Sequence, residues 1–195
     1  MELFLDVDGV ILDFESGLVD FVRDEYINDL PADFALQTWE LTEDFADLDI
    51  EEVWIRFVTS ERFTRLNLLV DPVSFNRISR QFSINLITNL PDEQYEFRKL
   101  NLDRHGLEYN GLYLAGHFNF GDESYPSKSQ VIQDIHQAGE KIVFLDDHPK
   151  NCLDIKNNLP ESDVYLMDRP HNKNQSDSSW IRVNNWNHFV EKIGC

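Results

Sequence analysis

Four short apolar runs constrain this chain more than anything else in it. Leu3-Phe4-Leu5 stops at Asp6, Ile84-Asn85-Leu86-Ile87 at Thr88, Ile142-Val143-Phe144-Leu145 at Asp146, and Val164-Tyr165-Leu166-Met167 at Asp168. Runs this short, without polar alternation, are the signature of strands covered on both faces, and such strands belong to parallel sheets flanked by helices. Helices are expected between them. Asp71 before Pro72 supplies an N-cap and an N1 proline, with Val73, Phe75, Ile78 and Phe82 following at helical spacing. Ser127 can cap a second helix carrying Val131, Ile132, Ile135 and Ala138 and stopping at Gly139. A third is expected from Pro149, and a fourth around Trp186 to Ile193.

The interval between the first two runs is too long for a single crossover. Residues 16–76 hold 14 acids against 4 basic residues, and their apolar positions (Leu18, Phe21, Val22; Val53, Trp54, Phe57, Val58) repeat as on amphipathic helices. This predicts an inserted helical cap over 16–76, with residues 1–15 and 77–195 forming the α/β core. The stretch from Asp168 to Ser179, rich in Asn, Ser and Asp, reads as a loop at the carboxyl end of the sheet.

Composition narrows the function. The 195 residues carry 17 Lys plus Arg and 36 Asp plus Glu, a formal charge of −19. Polynucleotides and anionic membranes are repelled by such a surface, whereas a small phosphorylated ligand needs only a local positive site. No stretch approaches a membrane span. Cys152 and Cys195 have neither a disulfide framework nor zinc-ligand spacing, and the first residues lack a basic leader segment, so a cytoplasmic protein is expected. A homodimer is left open.

In open α/β sheets ligands bind beyond the carboxyl ends of the strands. Asp6, Asp8, Thr88, Asp146 and Asp147 all lie there. Burying several acids together is costly unless a cation or a shared proton compensates them, and hard carboxylate oxygens beside a phosphate suit Mg2+. Lys128, at the start of a helix, can supply a further positive charge; Lys141 and Lys150 compete for that role. His105, His117, His136 and His148 show no ligand spacing and are read as surface or structural.

Asp6-Val7-Asp8-Gly9-Val10, a strand ending in Thr88, the isolated Lys128 and the pair Asp146-Asp147, in this order, resemble the four motifs of the haloacid dehalogenase (HAD) superfamily. The resemblance implies a Rossmann-like core, Asp6 as a nucleophile that becomes an aspartyl-phosphate, and Mg2+ as cofactor, held by Asp6, Asp8, Asp146 and Asp147. Either of the last two could be the direct ligand, with Asp146 preferred. Asp8 looks like the general acid/base of the superfamily's phosphatases, a residue that its dehalogenases lack. The longer string Asp6 to Glu15 resembles the 5'(3')-deoxyribonucleotidases, where a cap follows this segment and the residue matching Phe14 stacks on the base. It implies a nucleoside monophosphate as substrate, with Phe14 and Asn89 among its contacts, although Thr88 is followed here by Asn89-Leu90-Pro91 where those enzymes read Ser-Pro. The alternatives are a phosphatase for a sugar phosphate or other small metabolite, a phosphomutase, and a non-catalytic phosphate sensor.

Overall fold

The computed structural model describes residues 1–38, 41–115 and 125–195. Its centre is a six-stranded sheet in the order β3-β2-β1-β4-β5-β6, with every neighbouring pair parallel. The strands are β1 (Glu2–Leu5), β2 (Ser83–Thr88), β3 (Gly111–Leu114), β4 (Ile142–Asp146), β5 (Asp163–Met167) and β6 (Ile181–Val183). Four of the six are the apolar runs of the sequence. Successive side chains of a strand point to opposite faces, and two apolar clusters result. Leu3, Leu5, Leu86, Val143, Leu145 and Met167 feed one, while Phe4, Ile87, Phe144, Val164 and Leu166 feed the other.

Helices cover both faces. The second cluster is closed by α6 (Lys128–Ile135) and α7 (Pro149–Asn158), through Val131, Ile132, Cys152 and Ile155. On the opposite side lie α1 (Phe14–Glu25), the short α2 (Leu41–Asp44), α3 (Ile50–Val58), α4 (Pro72–Ser79), α5 (Tyr95–Arg104) and α8 (Trp186–Lys192). Side-chain caps start most of these helices: Asp13 accepts from the Ser16 amide, Asp49 from Glu52, Asp71 from Ser74 ahead of Pro72, and Asn185 from His188. Ser127 and Gln130 form a reciprocal capping box at α6. That helix ends at Ile135, short of the predicted stop at Gly139, because the Glu2 carboxylate takes the His136 ring and the Gln137 amide and turns the chain into an extended conformation.

Helices α1 to α3 are inserted between β1 and α4, and they share one continuous apolar cluster with the sheet, joined through Val10, Ile11, Leu12 and Phe14. Phe14 is buried in this cluster. Its ring is 1% exposed, with centroids 5.6 Å from Trp54 and 5.3 Å edge-on from Phe57. It opens α1 on the helix's inward face and packs against the insert.

Three elements escape the sequence pattern. β3 and β6 are short edge strands with one buried residue each, Leu112 and Val183. α5 inverts the usual rule, exposing Phe97 and Leu100 while burying Arg98 and Asn101, so it carries no apolar stripe to detect. Among the described residues no helix is long and apolar enough to cross a membrane. Replacing Phe14 by Ala should lower the unfolding free energy by about 3–5 kcal/mol, as for other buried aromatic truncations, measured by urea denaturation at pH 7.

Candidate active site

The strand order reverses between β1 and β4, which opens a crevice at their carboxyl ends. Asp6 follows β1, with its amide bonded to the Leu145 carbonyl at 2.8 Å, and Asp146 ends β4 alongside. Lys128, the first residue of α6 and 0% exposed, places its ammonium between them, 2.6 Å from Asp6 Oδ1 and 2.7 Å from Asp146 Oδ2. Burial alone would lower the lysine's pKa, but the Asp146 and Asp6 carboxylates outweigh it and hold the ammonium charged. Of the competing lysines, Lys141 pairs with Asp163 at the far end of β4, and Lys150 is exposed.

Asp146 is heavily hydrogen-bonded, with a lone pair left on Oδ1. Its Oδ1 accepts from the His148 amide at 2.7 Å, and its Oδ2 accepts from Asn151 at 2.9 Å as well as from Lys128. The same Asn151 amide reaches Asn89 Oδ1 at 3.0 Å, which brings Asn89 to the rim of the site. Asp147 is the opposite case: it is 1% exposed, and neither carboxylate oxygen receives a hydrogen bond. His171 stands beside it, with Nε2 at 3.4 Å from Oδ2, an ion-pair separation longer than a good hydrogen bond. Asp147 therefore keeps more of its lone pairs open than Asp146.

Gly9 makes room for this carboxylate. Its φ is +76°, and a Cβ at that position would stand 1.9 Å from Asp147 Oδ2. The loop after β5 braces the arrangement from the side. Asn172 donates to the carbonyls of Asp147 and Met167 at 2.7 and 2.8 Å, and Arg169 donates to the Gly9 carbonyl at 2.5 Å. A cavity of about 300 Å³ opens there, lined by Gly9, Asp13, Glu15, Leu69, Asp147 and His171 among others.

Oxygens of Asp6, Asp146 and Asp147 come within 4.8 Å of one another. Burial, together with the charges of Asp146, Asp147 and Asp8, pushes the Asp6 carboxyl well above the usual carboxylate range, against the pull of Lys128. The Asp8 side chain, expected among the metal ligands, stands outside this trio. Its Oδ1 accepts from Arg98 at 2.6 Å and its Oδ2 from the Thr88 hydroxyl at 3.1 Å, so both oxygens turn towards β2 and α5. The four acids Asp6, Asp8, Asp146 and Asp147 face two fully buried cations, Lys128 and Arg98, with His171 beside Asp147 as a further partner when protonated, so negative charge remains in excess. A divalent cation fits both that surplus and the orphaned Asp147 oxygens.

Arg98, Asn151, Arg169 and His171 were not singled out from the sequence. Asn151 had a readable signal, since it lies in the first turn of the helix begun by Pro149, facing back to Asp146. Arg98 had none. Of the histidines, His105 bonds the Leu66 carbonyl, His136 bonds Glu2, and His148 caps α7. Burial lowers His148 to about 4, so its neutral Nδ1 accepts from the Lys150 amide. His117 lies outside the described residues.

No protein-family model matches the chain, and a search of curated proteins finds no match. Solved structures do match. A haloacid dehalogenase-like hydrolase from Streptococcus pneumoniae superposes with a TM-score of 0.61 at 16% identity, covering 93% of this chain and 92% of its own. An L-2-haloacid dehalogenase gives 0.62 at 14%, with 99% of each chain covered. A HAD hydrolase of Bacillus subtilis, solved bound to magnesium, gives 0.60 at 13%, covering 100% of this chain and 98% of its own. At these identities the likeness bears on architecture, and the six-stranded parallel sheet with its flanking helices is the fold of the HAD hydrolases.

Proposed function

We propose that this chain is a Mg2+-dependent hydrolase of small phosphomonoesters, working through an aspartyl-phosphate on Asp6. The observation that carries the reading is the buried trio Asp6, Asp146 and Asp147, in which Lys128 bridges the first two, negative charge stays in excess, and neither Asp147 oxygen accepts a hydrogen bond. Asp6, Asp146 and Asp147 would hold the ion. Once bound, Mg2+ supplies positive charge that lets a dianionic phosphate approach these carboxylates.

The chain's own residues account for the rest. An Asp6 oxygen attacks phosphorus in line, the phosphorus–oxygen bond to the leaving group breaks, and Asp8 gives its proton to the departing oxygen. Water then attacks the aspartyl-phosphate and passes a proton to Asp8, which releases orthophosphate and restores the Asp6 carboxylate. Lys128 remains protonated throughout and offsets charge on the transferring phosphoryl group, while the Thr88 hydroxyl orients Asp8. Asp8 is what favours phosphate chemistry over dehalogenation, even though a dehalogenase is among the structural neighbours. The burial of Phe14 removes the residue that supported nucleobase recognition, so a small phosphorylated metabolite, rather than a nucleotide in particular, is the substrate class.

A screen of sugar phosphates, nucleoside monophosphates and aryl phosphates should give hydrolysis with Mg2+ and none in EDTA. Asp6→Asn should abolish it while circular dichroism stays unchanged. Halide release from 2-haloacids without any phosphatase activity would overturn the reading. Phe14→Ala should lower kcat/KM by the same factor for a nucleoside monophosphate and for a simple aryl phosphate. A selective loss on the nucleotide would restore the base-stacking role.

A further inference from the structure

Arg98 is among the largest fully buried side chains of the protein, yet it lies on a helix whose solvent face carries Phe97 and Leu100. Its guanidinium sits 4.3 Å from the centre of the Phe63 ring and donates one hydrogen bond, from Nη2 to Asp8 Oδ1 at 2.6 Å. Nε and Nη1 are buried without a hydrogen-bond partner. Such a group is poor economy if its task is packing alone, because a hydrophobic side chain of similar volume commonly serves a buried ion-pair position as well or better.

The neighbours of Arg98 on α5 are also polar and also directed. Asn101 donates to the Phe63 carbonyl at 2.7 Å, Arg104 to the Thr64 carbonyl at 3.1 Å, and His105 Nε2 stands 2.8 Å from the Leu66 carbonyl. One side of α5 thus grips residues 63–66, where the chain returns from the inserted helices, and Arg98 continues that grip to Asp8. The Asp8 side chain is 14% exposed, and with Thr88 on its other oxygen the carboxylate is held from two sides.

We propose that Arg98 is a positioning residue: it orients the Asp8 carboxylate for proton transfer to the leaving group and ties that orientation to the returning segment of the insert. The inference rests on the phosphatase reading above. In that reaction Asp8 gives up one proton as the ester bond breaks and recovers one from water, so its placement matters most where the leaving oxygen most needs a proton. An alkoxide needs it; p-nitrophenolate leaves as a stable anion and hardly does.

The test compares kcat/KM for an alkyl phosphate and for p-nitrophenyl phosphate, with Mg2+, in wild type, Arg98→Met, Arg98→Lys, Asp8→Asn and the Asp8→Asn/Arg98→Met double variant. Arg98→Met keeps the volume over Phe63 and should lower alkyl phosphate turnover about tenfold or more while changing the aryl ester by less than about threefold. Arg98→Lys, which keeps the cation but not the forked geometry, should show the same selectivity with a smaller loss. In the Asp8→Asn background Arg98→Met should add nothing. Equal losses on both esters in whichever Arg98 variant folds, or a full further loss in the Asp8→Asn background, would overturn the role of Arg98 while leaving the phosphatase intact. A wild type inert towards every phosphomonoester would overturn the hydrolase reading and this one with it.

Discussion

The ammonium of Lys128 lets the two central strands end where they do. β1 and β4 are hydrogen-bonded neighbours, and each runs directly into an aspartate whose carboxylate is shielded from water. Two such groups repel each other and lose hydration, and no arrangement of apolar side chains relieves either penalty. A cation bonded to both does. That requirement reaches outward: the lysine must arrive on a helix end already stabilised by its own cap, which Ser127 and Gln130 provide, and Ser129 binds that turn to Asp154 of α7 through two hydrogen bonds.

Around this bridge the aspartates divide the labour by how completely their oxygens are used. Asp146 has most of its lone pairs engaged, by Lys128, Asn151 and the His148 amide. Asp147, one residue on, lies over Gly9 and accepts no hydrogen bond on either oxygen. Asp8 belongs to the β2 side of the crevice. The three environments differ although the residue type is the same, and the differences come from which backbone and side-chain donors each strand end happens to meet.

This explains what could be read from the chain and what could not. The four buried strands were legible because parallel strands covered on both faces leave a continuous apolar imprint, and Asp6, Thr88 and Asp146 were legible because a polar residue closing such an imprint stands at the ligand-binding end of the sheet. Lys128 was legible through its helix start. Edge strands β3 and β6 bury too little to leave an imprint. Phe14 illustrates a different limit: an aromatic residue at a helix start has the same appearance in sequence whether its ring faces a ligand or Trp54 and Phe57, and only packing distinguishes them. Arg98 was invisible because a polar residue on an amphipathic helix is read as solvent-facing, and α5 reverses that assumption.

The reversal has a kinetic consequence. A helix with an apolar inner stripe can dock early on any hydrophobic surface, because that attraction is non-directional. α5 offers mainly directed bonds inward, to the Asp8 carboxylate beside β1 and to carbonyls at residues 63, 64 and 66, and these carbonyls are in place only once the inserted helices have returned to the sheet. Exchange of the α5 amides is therefore expected to follow the joint stability of the sheet and the returning insert rather than the helix's own propensity.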